Sequence, residues 1–497
     1  MPAHTPRRAA RPGRDHPGRP AANRSRTARP RTDPARRAAY DVLRAVADRD
    51  AYANLLLPAL LAERGLTGRD ASFATELAYG TLRGRGSYDA ILAACSDRDD
   101  IDPPVRDVLR LGAHQLLATR VGDHAAVATS VDLAKDVCGP RPSGFVNAVL
   151  RRVATRDLDS WFQIVAPDRN RDPSGYLAVR YSYPRWIADA FRDALGPDAA
   201  EIDDALAAGN ARPQVVLALS PGVDGPLPDG ERTRWSPYGF RLAGGDPSPL
   251  VASGMAAVQD EASQLAALAL TRTGVPGQDK LWLDLCAGPG GKARLLGGLA
   301  AERGARLVAA DLHPHRARRV LDALARAVGE NSAGHENSAG RESYGVIAAD
   351  GRQAPWLPGT FDRVLADVPC SGLGSLRRRP EARWRKAPGD VAELASLQRQ
   401  LLGTALDSVR PGGVVAYVTC SPHIAETRDV VLAVAHARDD VTILDAPAVL
   451  AEVPRLRQAD SDDGSRFAQF WPHRHGTDAI FLALLRRNDS GTAEGAG

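Results

Sequence analysis

Apolar residues recur at helical spacing from residue 33 to about 155, then change to short strand-like runs separated by glycine and proline. The first stretch includes ARRAAYDVLRAVADRDAYANLLLPALLAERG and, opened by Asp70, ASFATELAYGTLRGRGSYDAILAAC. Asp102-Pro103-Pro104 starts VRDVLRLGAHQLLA, because proline suits a first helical turn; ATSVDLAKDV and GFVNAVLRRVA follow. No alternating pattern interrupts them, so an all-α domain over 33–155 is expected. Residues 156–255 mix an amphipathic helix starting at Pro184 with the short strands QVVLALS and PYGFRLAGG, which reads as a small α+β connector. Over 256–487 strands and helices alternate. AAVQDEASQLAALAL predicts a helix. LWLDLCAGPGGK predicts a buried strand, a glycine turn and a helix start. RLVAAD, GVIAAD and FDRVLAD each predict a strand closing on an acid: Asp311, Asp350 and Asp367. ELASLQRQLLGTALDSV predicts a long helix, Pro411-Gly412-Gly413 a turn, and VVAYVTC a strand ending at Cys420. VTILDA and AIFLALLRR supply late strands, with the last expected at the sheet edge. The whole describes a multidomain chain whose C-terminal part is a doubly wound, Rossmann-like α/β sheet holding a nucleoside-bearing ligand at the carboxyl ends of its strands.

The 497 residues allow several domains, and their ordinary apolar and charged content fits a soluble protein. No window is apolar for the length of a membrane span, and the N-terminus has no apolar core of a secretory signal, so a cytoplasmic location without membrane contact is expected. The net charge of +4 hides an asymmetry: residues 1–32 hold nine Arg and one Asp, which leaves −4 for the remainder. That tail is expected to be disordered and suited to phosphates. ENSAG occurs twice, at Glu330–Gly334 and Glu336–Gly340, which predicts a solvent loop. Residues 488–497 are expected to be disordered as well. Five sparse cysteines argue against a disulfide framework, and no CxxC pair suggests zinc. His473, His475 and Asp478 lack a partner cluster, so no metal is expected.

The candidate chemistry gathers at the predicted carboxyl edge. Asp284 ends the first strand beside Gly288, Gly290 and Gly291, whose missing side chains let the backbone turn sharply and approach a ligand. Cys370 in ADVPCSG and Cys420 in YVTCSP both follow strand ends, and consecutive strands in such sheets are usually neighbours. Both thiols are then expected to emerge beside the glycine turn. The residues alone do not say which of the two is the nucleophile.

The set QDEASQ, LDLCAGPGGK, ADVPCSGLG, RRRPEARW and YVTCSP resembles RNA cytosine-5 methyltransferases of the RsmB/Fmu/Sun type, and GFVNAVLRR resembles the NusB-like RNA-binding bundle that bacterial members carry at their N-terminus. The likeness spans roughly residues 33–487. It implies S-adenosylmethionine as methyl donor, ribosomal RNA as partner and a monomeric enzyme. It also implies a covalent route in which a thiolate adds to C6 of cytosine so that C5 can take a methyl group. By the resemblance Cys420 is the nucleophile and Cys370 helps product release. Asp367 is expected at the N3/N4 edge of the base. Lys292 is expected over the donor or the base, or simply on a first-turn surface. Cys286, Ala287, Gly288, Pro289, Gly290 and Gly291 are expected to wrap the donor's methionine end, with Cys286 as packing. Asp311 is expected at the ribose and Asp350 at the adenine; Lys292 and Asp367 also face the donor. Arg377, Arg378, Arg379, Arg383 and Trp384, with Arg385, are expected to hold RNA phosphates and stack a base. Gln259, Asp260 and Ser263 are expected on the substrate side without individual roles. The family's glutamate-rich stretch after the TCS motif is reduced here to Glu426, expected to order the following helix. Two readings compete with ribosomal RNA methylation: the same chemistry on transfer RNA, and a non-catalytic RNA-binding assembly factor.

Overall fold

A computed structural model describes residues 32–98, 100–222, 227–329, 343–457 and 466–489. The arginine-rich tail through residue 31, both ENSAG repeats and residues 490–497 lie outside the described residues. Asn488, expected in a disordered tail, instead bonds to the Asp440 carbonyl through its amide (2.7 Å) and to Thr442 through its side chain.

The N-terminal part is all-helical among the described residues: Pro34–Arg49, Ala53–Glu63, Gly68–Arg83, Arg85–Cys95, Pro103–Ala118, Asp123–Val137 and Ser143–Val153. Asp33 caps the first helix by accepting from the Arg36 amide at 2.8 Å, and Pro34 and Pro103 occupy first-turn positions that need no donor. Their apolar stripes meet in one core that includes Leu43, Leu77, Ile91, Leu109, Leu133 and Leu150. Gly112 permits a close crossing, since a Cβ there would lie 2.6 Å from a Leu150 methyl.

The connector begins with further helices, among them Arg185–Leu195, followed by strands β1 (Leu217–Leu219), β2 (Gly230–Arg232), β3 (Gly239–Leu242) and β4 (Ala256–Val258). These four form an antiparallel sheet in the order β2-β3-β1-β4. β4 corrects the expectation of a helix from Ala256: the helix starts at Glu261, after Asp260 has capped it through the Ala262 amide. The connector does not have a wholly separate core. Ile187, Phe191 and Leu206 pack with Leu373, Leu376, Trp471 and Ala479 of the C-terminal part.

The large sheet contains β5 (Leu281–Asp284), β6 (Arg306–Asp311), β7 (Tyr344–Ala348), β8 (Phe361–Asp367), β9 (Val409–Thr419), β10 (Val441–Leu444), β11 (Ala468–Gln469) and β12 (Phe481–Arg487). Its order is β10-β12-β9-β8-β5-β6-β7, with β11 on β12. β5 to β9 are parallel and β12 is antiparallel to β9. β12 is therefore interior and β10 takes the edge, contrary to the expected order. Phe481 to Leu485 are wholly buried, which an interior position requires and an edge does not. The Pro411-Gly412-Gly413 turn is an irregularity inside β9, where pairing with β8 jumps from Phe361–Val409 to Arg363–Val414. Alternation sorts the core into two layers. Val414, Ala416 and Val418 face helices Glu261–Arg272, Gly291–Glu302 and Pro314–Leu324; Val415 and Tyr417 face Pro388–Ser408 and Arg428–His436. The strand order reverses between β5 and β8, which opens a crevice at their carboxyl ends.

Candidate active site

The thiol pair follows from this register. β8 and β9 run parallel with Asp367 opposite Val418, so the loops carrying Cys370 and Cys420 leave the same edge side by side. The Gly374 amide donates to the Cys420 carbonyl at 2.8 Å and ties the two loops together. The sulfurs are 3.2 Å apart and only partly exposed. Donation from the Cys370 thiol, with help from the nearby Lys292 charge, holds Cys420 below the ordinary thiol range against the cost of burial. The same hydrogen bond, then burial, pushes Cys370 well up. The two thiols are thus unequal: Cys420 carries negative charge more readily and Cys370 keeps its proton. Cys286, packed beneath the glycine turn, is pushed far up by burial and is chemically quiet.

Lys292, in the first turn of helix Gly291–Glu302, reaches across to Asp367 at 2.8 Å. Burial works to lower its ammonium, but the Asp367 contact outweighs this and the group is raised. Of its alternatives, the surface position is corrected: the side chain is mostly buried and aimed at the site.

On the donor side, the Ala287 amide bonds the Ala310 carbonyl at 2.8 Å and the Gly288 amide bonds Asp311 at 3.0 Å. A Cβ on Gly288 would lie 2.3 Å from that Asp311 oxygen and would have to displace it. After Pro289, Gly290 has φ of 113°, a conformation that favours glycine, and Gly291 opens the helix. Asp311 also accepts from the His313 amide at 2.9 Å, which fixes its carboxylate at the end of β6. Asp350 forms a bidentate contact with Arg352 near the surface, which holds it below its usual range.

Asp284 is the strongest signal here that the sequence left without a role. It is 1% exposed, and neither carboxylate oxygen makes a hydrogen bond of normal geometry, although the Cys286 amide offsets part of the burial cost. Burial first, then the Asp367 charge, push it up to about 8. Gln259, buried beside Gly291, likewise leaves both polar atoms of its amide unbonded. Unbonded buried polar groups are costly, and their gathering around a side-chain-free turn suits a polar ligand.

The expected RNA-binding loop requires correction. Arg377 and Arg378 both bind Asp260 and Asp478 in a buried four-residue ion cluster, with contacts of 2.7 to 2.9 Å among them. Arg383 has no exposed surface: it donates to Tyr183 (2.9 Å) and the carbonyls of Ser182 and Gly209, and lies 3.7 Å from the Tyr183 ring centre. Burial lowers its guanidinium to about 10. Trp384 lies against Gly86, where a Cβ would meet its ring at 2.7 Å, and beneath Arg85. Arg385 donates to the Ala51 carbonyl at 2.7 Å. Arg383, Trp384 and Arg385 join the helical domain and the connector to the α/β domain; of the run only Arg379 stays exposed. His475 bonds the Trp471 amide and the Pro454 carbonyl, and His473 bonds Glu201, so both are structural.

Comparison with known proteins agrees with this architecture. Residues 273–486 match the family model described as 16S rRNA methyltransferase RsmB/F, and residues 33–155 match the NusB family. A Mycobacterium tuberculosis protein named only as a candidate methyltransferase, Rv1407, is 51% identical over 469 residues, covering 92% of this chain and 97% of that one. The ribosomal RNA small subunit methyltransferase B of Pseudomonas putida is 33% identical, covering 90% of this chain and 98% of that one. The crystal structure of PH0851 superposes with a TM-score of 0.70 at 21% identity, over 92% of this chain and 99% of that one, which extends the likeness of fold to nearly the whole length.

Proposed function

The chain belongs to the RsmB/F family of 16S rRNA methyltransferases, and from that premise we propose that it methylates C5 of a cytosine in 16S ribosomal RNA with S-adenosylmethionine as donor, through a covalent bond between Cys420 and C6 of the base. The observation that carries this reading is the pair of thiols 3.2 Å apart beside the Lys292–Asp367 ion pair at the carboxyl edge. Bound in the glycine turn, the donor supplies an electrophilic methyl group. Gly288 and Gly290 give the close approach, Asp311 offers acceptor capacity to ribose hydroxyls, and Asp284 and Gln259 offer polar atoms that the fold leaves unpaired. Asp350 reaches the adenine only by sharing Arg352.

On the base side, the Cys420 thiolate adds to C6 and the electron pair moves toward N3. Lys292 stabilises that charge, and Asp367 accepts from the exocyclic amino group. C5 then takes the methyl group. A base removes the C5 proton, and the ring expels the sulfur as its double bond reforms. Cys370, which keeps its proton, donates a hydrogen bond to the departing Cys420 sulfur. Cytosine must leave its stack to reach a partly buried thiol, as bases do in enzymes of this kind.

Bisulfite sequencing of ribosomal and transfer RNA from cells with and without the gene tests the substrate. The expected result is one protected cytosine in 16S rRNA that is lost on deletion and restored by the wild type but not by Cys420→Ala. Loss of protection in transfer RNA alone, or restoration by Cys420→Ala, contradicts the proposal.

A further inference from the structure

Away from the reacting atoms, four donors converge on one carboxylate. Glu426, without exposed surface, accepts from the Ser371 amide (2.7 Å), the Ser371 hydroxyl, the Ser421 hydroxyl (2.7 Å) and the Gln398 side chain (3.2 Å). Ser371 directly follows Cys370, and Ser421 directly follows Cys420. Their hydroxyls are 3.1 Å apart, and Gln398 also donates to the Pro369 carbonyl at 2.8 Å. Glu426 is in turn anchored from β9, because the Tyr417 hydroxyl donates to its carbonyl at 2.7 Å. Each thiol-bearing loop is therefore bound to the same carboxylate one residue beyond its sulfur.

We propose that Glu426 is a positioning residue: its carboxylate clamps Ser371 to Ser421 and so holds the Cys370 and Cys420 sulfurs at donor–acceptor distance. This rests on the two-cysteine reading above. The β8–β9 register and the Gly374–Cys420 bond bring the loops side by side, and a buried acceptor of four bonds one residue beyond each sulfur fixes the thiol-bearing turns themselves. The Glu426 charge also adds to the forces that keep Cys370 protonated, so the clamp sets the asymmetry of the pair as well as its distance. Released, Cys370 no longer donates to Cys420, and Cys420 holds its own proton more tightly. Glu426 touches neither sulfur, and donor and RNA binding do not depend on it.

The test is the pH profile of Cys420 alkylation in the full-length protein, read by mass spectrometry beside steady-state methylation. In Glu426→Ala the alkylation midpoint is expected to rise by about one pH unit, and kcat to fall at least ~30-fold while KM for RNA and donor changes less than about threefold. Glu426→Gln is expected to recover most of both, because an amide oxygen still accepts from the Ser371 amide and Gln398, and the two hydroxyls can turn to accept from the amide nitrogen. If Glu426→Ala does not fold, Ser371→Ala/Ser421→Ala removes only the two hydroxyls and is expected to shift the midpoint in the same direction. An unchanged midpoint in the folded variant, or no recovery by glutamine, overturns the clamp. If Cys420→Ser methylates normally, the covalent reading fails, but the alkylation profile still decides whether Glu426 positions the thiols.

Discussion

Asp284 shows most clearly how one residue pays for a site. Its carboxyl sits buried at the end of β5, where neither oxygen makes a hydrogen bond of normal geometry, and burial with the Asp367 charge carries it from 3.8 to about 8. A carboxyl raised on folding costs stability as pH climbs from the unfolded value to the folded one; below both values the cost is absent. The interval corresponds to on the order of 6 kcal/mol as an upper limit. Asp284→Asn is therefore expected to melt higher than the ligand-free wild type at pH 8, with the gap closing toward pH 4, while donor affinity falls. Equal melting temperatures at pH 8 contradict the assignment of that cost. The sequence makes Asp284 visible as a strand-end acid but cannot show that it lacks partners. Cys370 and Cys420 were legible as a pair because strand ends are local and neighbouring strands follow from chain order. Their inequality was not legible, since it depends on a 3.2 Å contact and on Lys292 reaching in from another element.

At the scale of elements, the loop from Leu373 to Arg385 separates charge from function. Its arginines look like a phosphate-binding run, but their partners lie far away in sequence: Asp260 and Asp478 for Arg377 and Arg378, and Tyr183 and Gly209 for Arg383. No local pattern reports such pairing, so burial was the missing information. Arg383→Ala is expected to destabilise the protein by roughly 3 kcal/mol in chemical denaturation, because it strands several buried acceptors at once. It should leave the salt dependence of RNA binding unchanged. Arg379→Ala is expected to do the reverse: little change in stability and a logarithmic salt slope shallower by about one. If removing Arg383 also flattens the slope, the loop meets RNA directly. The parallel strands β5, β6, β8 and β9 were readable from apolar runs ending in acids or cysteine. β4 is not, because Ala256–Val258 is short and abuts a strong helix pattern, and the interior place of β12 is not, because adjacency across an antiparallel return is not written in period.

The whole molecule is one continuous arrangement in which the helical domain, the connector and the α/β domain share buried contacts through Arg383, Trp384 and the core around Phe191 and Trp471. The division into an N-terminal helical part and a C-terminal α/β part could be read from the change in apolar period. The way they join could not, since the joint mixes buried arginines with Trp384 and the apolar core around Phe191 and Trp471, whose members are far apart in sequence. Among the described residues no helix is long and apolar enough to cross a membrane. Through Arg383 and Trp384 the joint sets the helical domain against the segment that follows Cys370. On the proposed route Cys420 bonds the base and Cys370 assists its release. Cys370→Ala incubated with 16S rRNA and S-adenosylmethionine, then run on a denaturing gel, should give a protein–RNA band that survives boiling, with none from Cys420→Ala. An adduct from Cys420→Ala, or none from either variant, contradicts it.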